Sequence, residues 1–259
     1  MNYDRLLIQV RERSFLGILD LTFLVLRARP LALTIAALAG ILPCALLNYW
    51  LRSDPASSPA YFVFLLVLEI PIATAPLTVV LGDLMFDVRV TPRRVGWAIL
   101  SGLPWLFLTQ LILRAALLAT IVGYLLFPSR LAYLDEVILL ERLRGFKMLS
   151  RAGALCRGLE AEYLLSWVAQ VAIGTTFVVC FTTGSSAILS TLFGAELSWS
   201  RPRLTGPTEW LLHAAIWIAV AYFGTFRFLS YIDRRIRLEG WELELRLKAA
   251  GRDLEATAR

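Results

Sequence analysis

The sequence predicts an all-α polytopic membrane protein: six transmembrane helices, an amino-terminal interfacial helix and cytoplasmic amphipathic segments. Three observations predict it. Hydrophobic residues make up 58% of the 259, and mean hydropathy is +0.67, above the range of a soluble domain. Several apolar stretches approach or exceed the ~18 residues that cross a bilayer. Finally, Lys and Arg fall on one side of the topology those stretches define.

Residues 1–30 form an amphipathic segment. Leu6, Leu7, Val10, Phe15, Ile18, Leu19, Thr22, Phe23 and Leu26 recur at helical spacing, interleaved with Arg5, Arg11, Arg13, Arg27 and Arg29. The apolar run Phe15 to Leu26 contains Asp20 and is too short to cross, so it predicts a helix lying at the interface. No small-residue cleavage site follows an apolar core, so a cleavable signal peptide is not expected.

Pro30 suits the first position of a new helix, and the first span is about 31–51, with Asn48, Tyr49 and Trp50 at its far end, where aromatic belts form. The second span, about 61–86, carries Glu69, Pro71 and Pro76 and is expected to kink. A basic turn with Arg89, Arg93 and Arg94 follows. From Val95 to Glu141 the chain has little polarity, and one helix of that length would overshoot a ~30 Å core at ~1.5 Å per residue. Two spans fit, about 96–113 and 115–140, turning at Arg114. A basic amphipathic connector covers Arg142 to Glu162. The fifth span, about 163–193, is rich in small residues (Gly174, Thr175, Thr176, Thr182, Thr183, Gly184, Ser185, Ser186) that let helices approach closely in lipid. The sixth, about 209–230, leads into a charged tail helix over 231–259.

Six spans put both termini on one side. Twenty Lys and Arg then lie on that side, against four opposite (Arg52, Arg114, Arg201 and Arg203). This asymmetry predicts a bacterial inner-membrane protein with both termini in the cytoplasm. A single crossing between Val95 and Glu141 would place the Arg142 segment outside and destroy the bias.

Several stretches resemble bacterial six-span membrane domains related to the membrane domain of glycerophosphoryl diester phosphodiesterase. They are Ser14–Phe23 (SFLGILDLTF), Ala75–Leu84 (APLTVVLGDL), Val137–Gly158 (VILLERLRGFKMLSRAGALCRG) and the tail from Tyr231 to Glu242. The resemblance implies six helices and a cytoplasmic amphipathic connector, and it implies no activity. A catalytic barrel would require a further ~250 residues with paired histidines and carboxylates, and this chain has one histidine, His213.

Charge at membrane depth is the sharpest polar signal. Glu69 lies within the second span and Arg130 within the fourth. Ionisable groups there cost at least ~2.5 kcal/mol on insertion scales and face the bundle interior. They form either a lined site for an ion, proton or headgroup, or a pair that joins two helices. An inner-boundary cluster comprises Asp83, Asp135, Glu136, Glu141, Arg227 and Asp233, read as a gate or headgroup site, or as interfacial charge held by basic segments. Arg142, Arg144, Lys147, Arg151 and Arg157 form a basic face that sets topology or docks anionic lipid.

The other signals are negative. Cys44, Cys156 and Cys180 are isolated and lack metal-ligand or disulfide spacing. There is no Walker motif, no GxGxxG and no Gly-x-Ser-x-Gly, so no cofactor, metal or catalytic residue is expected. Mixed charge in the tail, with pairs such as Glu242–Arg246 and Glu244–Lys248, argues against nucleic-acid binding. The expected function is non-enzymatic: a membrane subunit that binds anionic lipid headgroups or scaffolds a membrane or cytoplasmic partner, or an oligomer. The alternative is a small-molecule or ion transporter or channel using Glu69 and Arg130. Against it, the two halves of the chain show no inverted repeat.

Overall fold

The computed structural model describes residues 14–52, 59–85, 90–109, 131–193 and 207–239, and these are all-helical. In order the helices are α1 (Phe15–Ala28), α2 (Pro30–Arg52), α3 (Pro59–Met85), α4 (Pro92–Leu106), α5 (Leu134–Leu139), α6 (Phe146–Cys156), α7 (Glu160–Phe193) and α8 (Pro207–Glu239). Four of them, α2, α3, α7 and α8, are long and apolar enough to cross a membrane. The expected third and fourth crossings coincide with α4, α5 and the stretch 110–130, which lies outside the described residues together with Arg114 and Arg130.

Helix α1 begins where the Ser14 hydroxyl accepts from the Gly17 amide at 3.3 Å, satisfying one of the free first-turn donors. It buries Ile18, Leu21, Thr22 and Val25 on one face and leaves Leu16, Phe23 and Leu24 exposed. This is the division an interfacial helix requires. Phe15 packs edge-on to Phe226 at 5.2 Å, and the Tyr222 hydroxyl donates to the Leu19 carbonyl at 2.9 Å, so α1 is fastened to α8.

Helix α3 is the centre of the bundle. Buried residues make up 72% of its apolar window, against 39% for α8, 28% for α2 and 0% for α7; α2, α4, α5 and α8 all pack on it. Helix α3 continues as one helix through Pro71 and Pro76. The Thr74 and Thr78 hydroxyls donate back to the carbonyls of Ile70 (2.9 Å) and Thr74 (3.2 Å), one turn earlier on the same helix.

The α2–α3 seam depends on Gly40. A Cβ there would stand 2.0 Å from the Ala73 carbonyl oxygen and 2.9 Å from Pro76 Cδ, so only glycine allows this approach. Ala36, Gly40, Cys44 and Asn48 follow one another at four-residue spacing on the buried face of α2, while Leu31, Ile35, Leu38, Leu42 and Leu46 form its exposed stripe. The same logic seats α8 on α3, where Gly224 lies against Thr74, and α7 on α8, where Gly174 lies against Phe223. Half of the small residues expected to pack α7 do not: Thr182 and Ser186 are buried, but Thr175, Thr176, Thr183 and Gly184 are on exposed or open positions. Hydroxyls such as those of Thr176 and Thr183 bond their own helix instead.

No helix break falls at residue 230, where the apolar run gives way to charged residues. Helix α8 continues to Glu239 because nothing from Ser230 to Leu238 breaks a helix and Asp233 pairs with Arg237 one turn on, at 2.9 Å. Residues 240–259 lie outside the described residues. At the opposite end of α8, Tyr49 and Trp210 pack at 5.5 Å, an exposed aromatic pair of the kind found at a bilayer interface.

Candidate functional site

The carboxyl ends of α3 and α8, the starts of α4 and α7, and helices α5 and α6 together make a charged end. Its centre is Arg227. The guanidinium bonds Asp135 at 2.6 Å through Nη1 and Glu136 at 2.7 Å through Nε, and its Nη2 donates to Thr74 Oγ1 at 3.3 Å. Both carboxylates stand in the first turn of α5, a helix buried along its whole length. Acids there complement the helix dipole, and the sequence Asp135-Glu136 aims two carboxylates at a single arginine on α8. Glu136 is fully buried, and its Oε2 has no hydrogen-bond partner among the described residues.

A second group forms on Glu141. Arg151 holds it in two hydrogen bonds, of 2.9 and 3.2 Å, the strong bidentate geometry of a guanidinium–carboxylate pair. The Tyr231 hydroxyl donates to Glu141 Oε1 at 2.8 Å, with Arg235 3.8 Å away. Reaching this arrangement turns the α5–α6 connection through Arg142 (φ 54°) and Gly145 (φ 64°). Arg234 donates to the carbonyls of Leu155 (2.7 Å) and Arg157 (3.0 Å), closing the end of α6. Beneath them the Cys156 thiol is buried, and burial pushes it up to about 11.

The expected inner-boundary cluster is therefore separate groups. Asp135, Glu136 and Arg227 are one, and Glu141 another. Asp83 pairs with Arg94 at 3.1 Å and Asp233 with Arg237. The expected basic face is divided too. Arg142, Arg144, Lys147 and Arg157 are exposed, but Arg151 is half-buried and committed to Glu141. Sequence reasoning missed Tyr231 and Thr74. The signal for Tyr231 was present, because Arg227, Tyr231 and Arg235 are four apart and share a face of α8.

Glu69 lies elsewhere, in the α2–α3 seam. It is 4% exposed, and Asn48 Nδ2 donates to its Oε2 at 2.6 Å. Glu69 Oε1 and Asn48 Oδ1 have no hydrogen-bond partner among the described residues. The expected partner, Arg130, lies outside them. Asn48 was expected in the aromatic belt beside Tyr49, but it is fully buried. The four-residue series from Ala36 was its sequence signal.

Between α1, α7 and α8, beside the charged end, lies a cavity of about 420 Å3, within the ~300–1,000 Å3 of ligand pockets. Phe15, Ile18, Phe226, Leu165 and Ala169 supply apolar wall, while Glu162, Asp233, Arg234 and Arg237 supply charge. Its inner side carries the Tyr133–Ser230 hydroxyl pair, 2.8 Å apart. An apolar slot with a charged margin can hold a molecule that is itself greasy at one end and ionic at the other. No protein-family model matches the chain, and comparison with curated proteins and with solved structures likewise gives no match.

Proposed function

We propose that this chain is a non-enzymatic integral membrane protein of a bacterial inner membrane that binds phospholipid beside its charged end. In this reading the bundle crosses six times with both termini in the cytoplasm, as the twenty-to-four asymmetry of basic residues favours. The charged end then faces the cytoplasmic leaflet. The resemblance to six-span membrane domains, carried by the four stretches quoted above, points the same way. The single observation behind lipid binding is the amphipathic cavity: apolar residues from three helices meet two arginines and two carboxylates at one margin. A headgroup at that margin places an acyl chain against Phe226 and Leu165. The ion groups on Arg227 and Glu141 serve instead to fix α5 and α6 against α8, since their charges are spent on one another.

Native mass spectrometry tests this. Protein released gently from membranes should retain about one phospholipid, and Ala169→Trp, which fills the cavity, should lose it while keeping its fold. A wild-type protein with no bound lipid, or a variant that keeps it, overturns the reading.

A second reading, ion or proton passage, has one observation in its favour: two buried oxygens on neighbouring helices, Glu69 Oε1 and Asn48 Oδ1, without hydrogen-bond partners among the described residues. Reconstituted flux that disappears in Glu69→Gln with the fold intact supports it; flux unchanged in that variant removes it.

A further inference from the structure

The cavity's charges are not equivalent. Asp233 and Arg237 pair with each other, so together they present little net charge. Arg234 is held by two carbonyl oxygens, through Nε and Nη2. Carbonyls fix a guanidinium without cancelling it, and no carboxylate among the described residues pairs with Arg234. Its remaining donors, on Nη1, stay available to an anion, and a guanidinium so anchored has little rotamer entropy left to lose on binding one. Glu162, in the first turn of α7, is exposed and carries no ion pair among the described residues. The cavity thus offers one uncancelled cation, fixed in place, and one uncancelled carboxylate, both on its lining.

An anionic headgroup would satisfy Arg234 but would meet Glu162 as a like charge. A headgroup with a phosphate and an ammonium satisfies both. We infer that the cavity selects zwitterionic aminophospholipid, with the phosphate on Arg234 and the ammonium on Glu162. This rests on the lipid-binding reading above and adds the headgroup class to it. It also reverses, at this one place, what the net charge of +6 suggests: the surface attracts anionic lipid generally, while the cavity prefers a neutral one.

The test uses full-length protein in nanodiscs of equimolar phosphatidylethanolamine and phosphatidylglycerol, followed by native mass spectrometry of the lipid retained on release. Phosphatidylethanolamine should be enriched about fivefold, the factor expected of roughly one charge contact at a membrane surface. Glu162→Lys should reverse the preference toward phosphatidylglycerol. Glu162 is exposed at a helix start, so its replacement leaves the packing intact; unchanged thermal unfolding checks this. Retention of phosphatidylglycerol by the wild type, or a preference unmoved by Glu162→Lys, overturns the headgroup assignment and leaves lipid binding standing. No retained lipid in any composition overturns both.

Discussion

The charged end and the α2–α3 seam bury the same kind of group in different ways. At the charged end Arg227 meets two carboxylates and a hydroxyl, Arg151 grips Glu141 with two bonds, and Tyr231 adds a third. In the seam, among the described residues, Glu69 has a single amide for company, and each keeps an oxygen unpartnered. Glu136 also keeps one such oxygen, but its other is bound to a guanidinium 2.7 Å away. The contrast separates two roles for intramembrane polarity. Mutually neutralised charge specifies how helices dock, and removing one member strands the rest. A weakly partnered carboxyl specifies little and tolerates neutralisation.

The largest effect that would break this comparison is at Arg227. Arg227→Leu removes the guanidinium that Asp135 and Glu136 share and should cost about 3–5 kcal/mol, read as unfolding free energy in mild detergent. Adding Asp135→Asn and Glu136→Gln should recover part of it, because the stranded charges are gone. A loss below 1 kcal/mol would mean the cluster does not hold the helices.

Next comes the backbone approach that brings Asn48 to Glu69. Gly40→Ala forces a Cβ against the Ala73 carbonyl and should destabilise by about 1–3 kcal/mol, the usual range for overpacking. A neutral Gly40→Ala would show that the seam is looser than its geometry.

Glu69→Gln is the sharpening variant. Glutamine keeps an oxygen for the Asn48 amide, so the change in unfolding free energy should stay within about 1 kcal/mol, one hydrogen bond's net contribution. A cost near that of Arg227→Leu would erase the distinction between the two regions.

A further effect is a pH dependence at the charged end. The folded Cys156 thiol keeps its proton to about 11, against 9.0 for an unperturbed thiol. Below 9.0 both states are neutral, so its contribution is fully present there; it declines as pH rises from 9.0 and levels off near 11. Stability measured in wild type and Cys156→Ala should differ by a constant amount below pH 9, and the difference should shrink as the pH is raised from 9 toward 11. In folded protein at neutral pH, alkylation of Cys156 should be slow, and Arg227→Leu should accelerate it by opening the end. Parallel pH profiles would contradict the burial of this thiol.

Four helices long and apolar enough to cross a membrane were legible because apolar runs of that length have few other uses, and the helix starts at Pro30 and near Glu160 fell close to their expected places. The change from apolar to charged composition near residue 230 marks an expected membrane boundary and not a helix boundary; α8 runs through it. At the site, the acids of the charged end were visible as charge beside apolar runs, but their partition was not. Asp83, Asp135, Glu141 and Asp233 each choose a different arginine, and that choice depends on which helices meet. Asn48 was hidden by its neighbours: Tyr49 and Trp50 signal an interface, and the residue before them faces the other way. The cavity could not have been read from sequence, since Phe15, Ala169 and Arg234 come from three distant segments.

The most direct measurement places a photo-reactive benzophenone side chain at Leu165, an exposed residue that lines the cavity, and a matched one at Ile188, likewise exposed on α7 but outside the cavity. Both proteins are purified into detergent, irradiated and analysed by intact mass. Bound phospholipid predicts a lipid adduct at Leu165 and a detergent adduct at Ile188. Detergent at both positions would contradict a retained lipid and leave the cavity without the occupant that its apolar wall and charged margin describe.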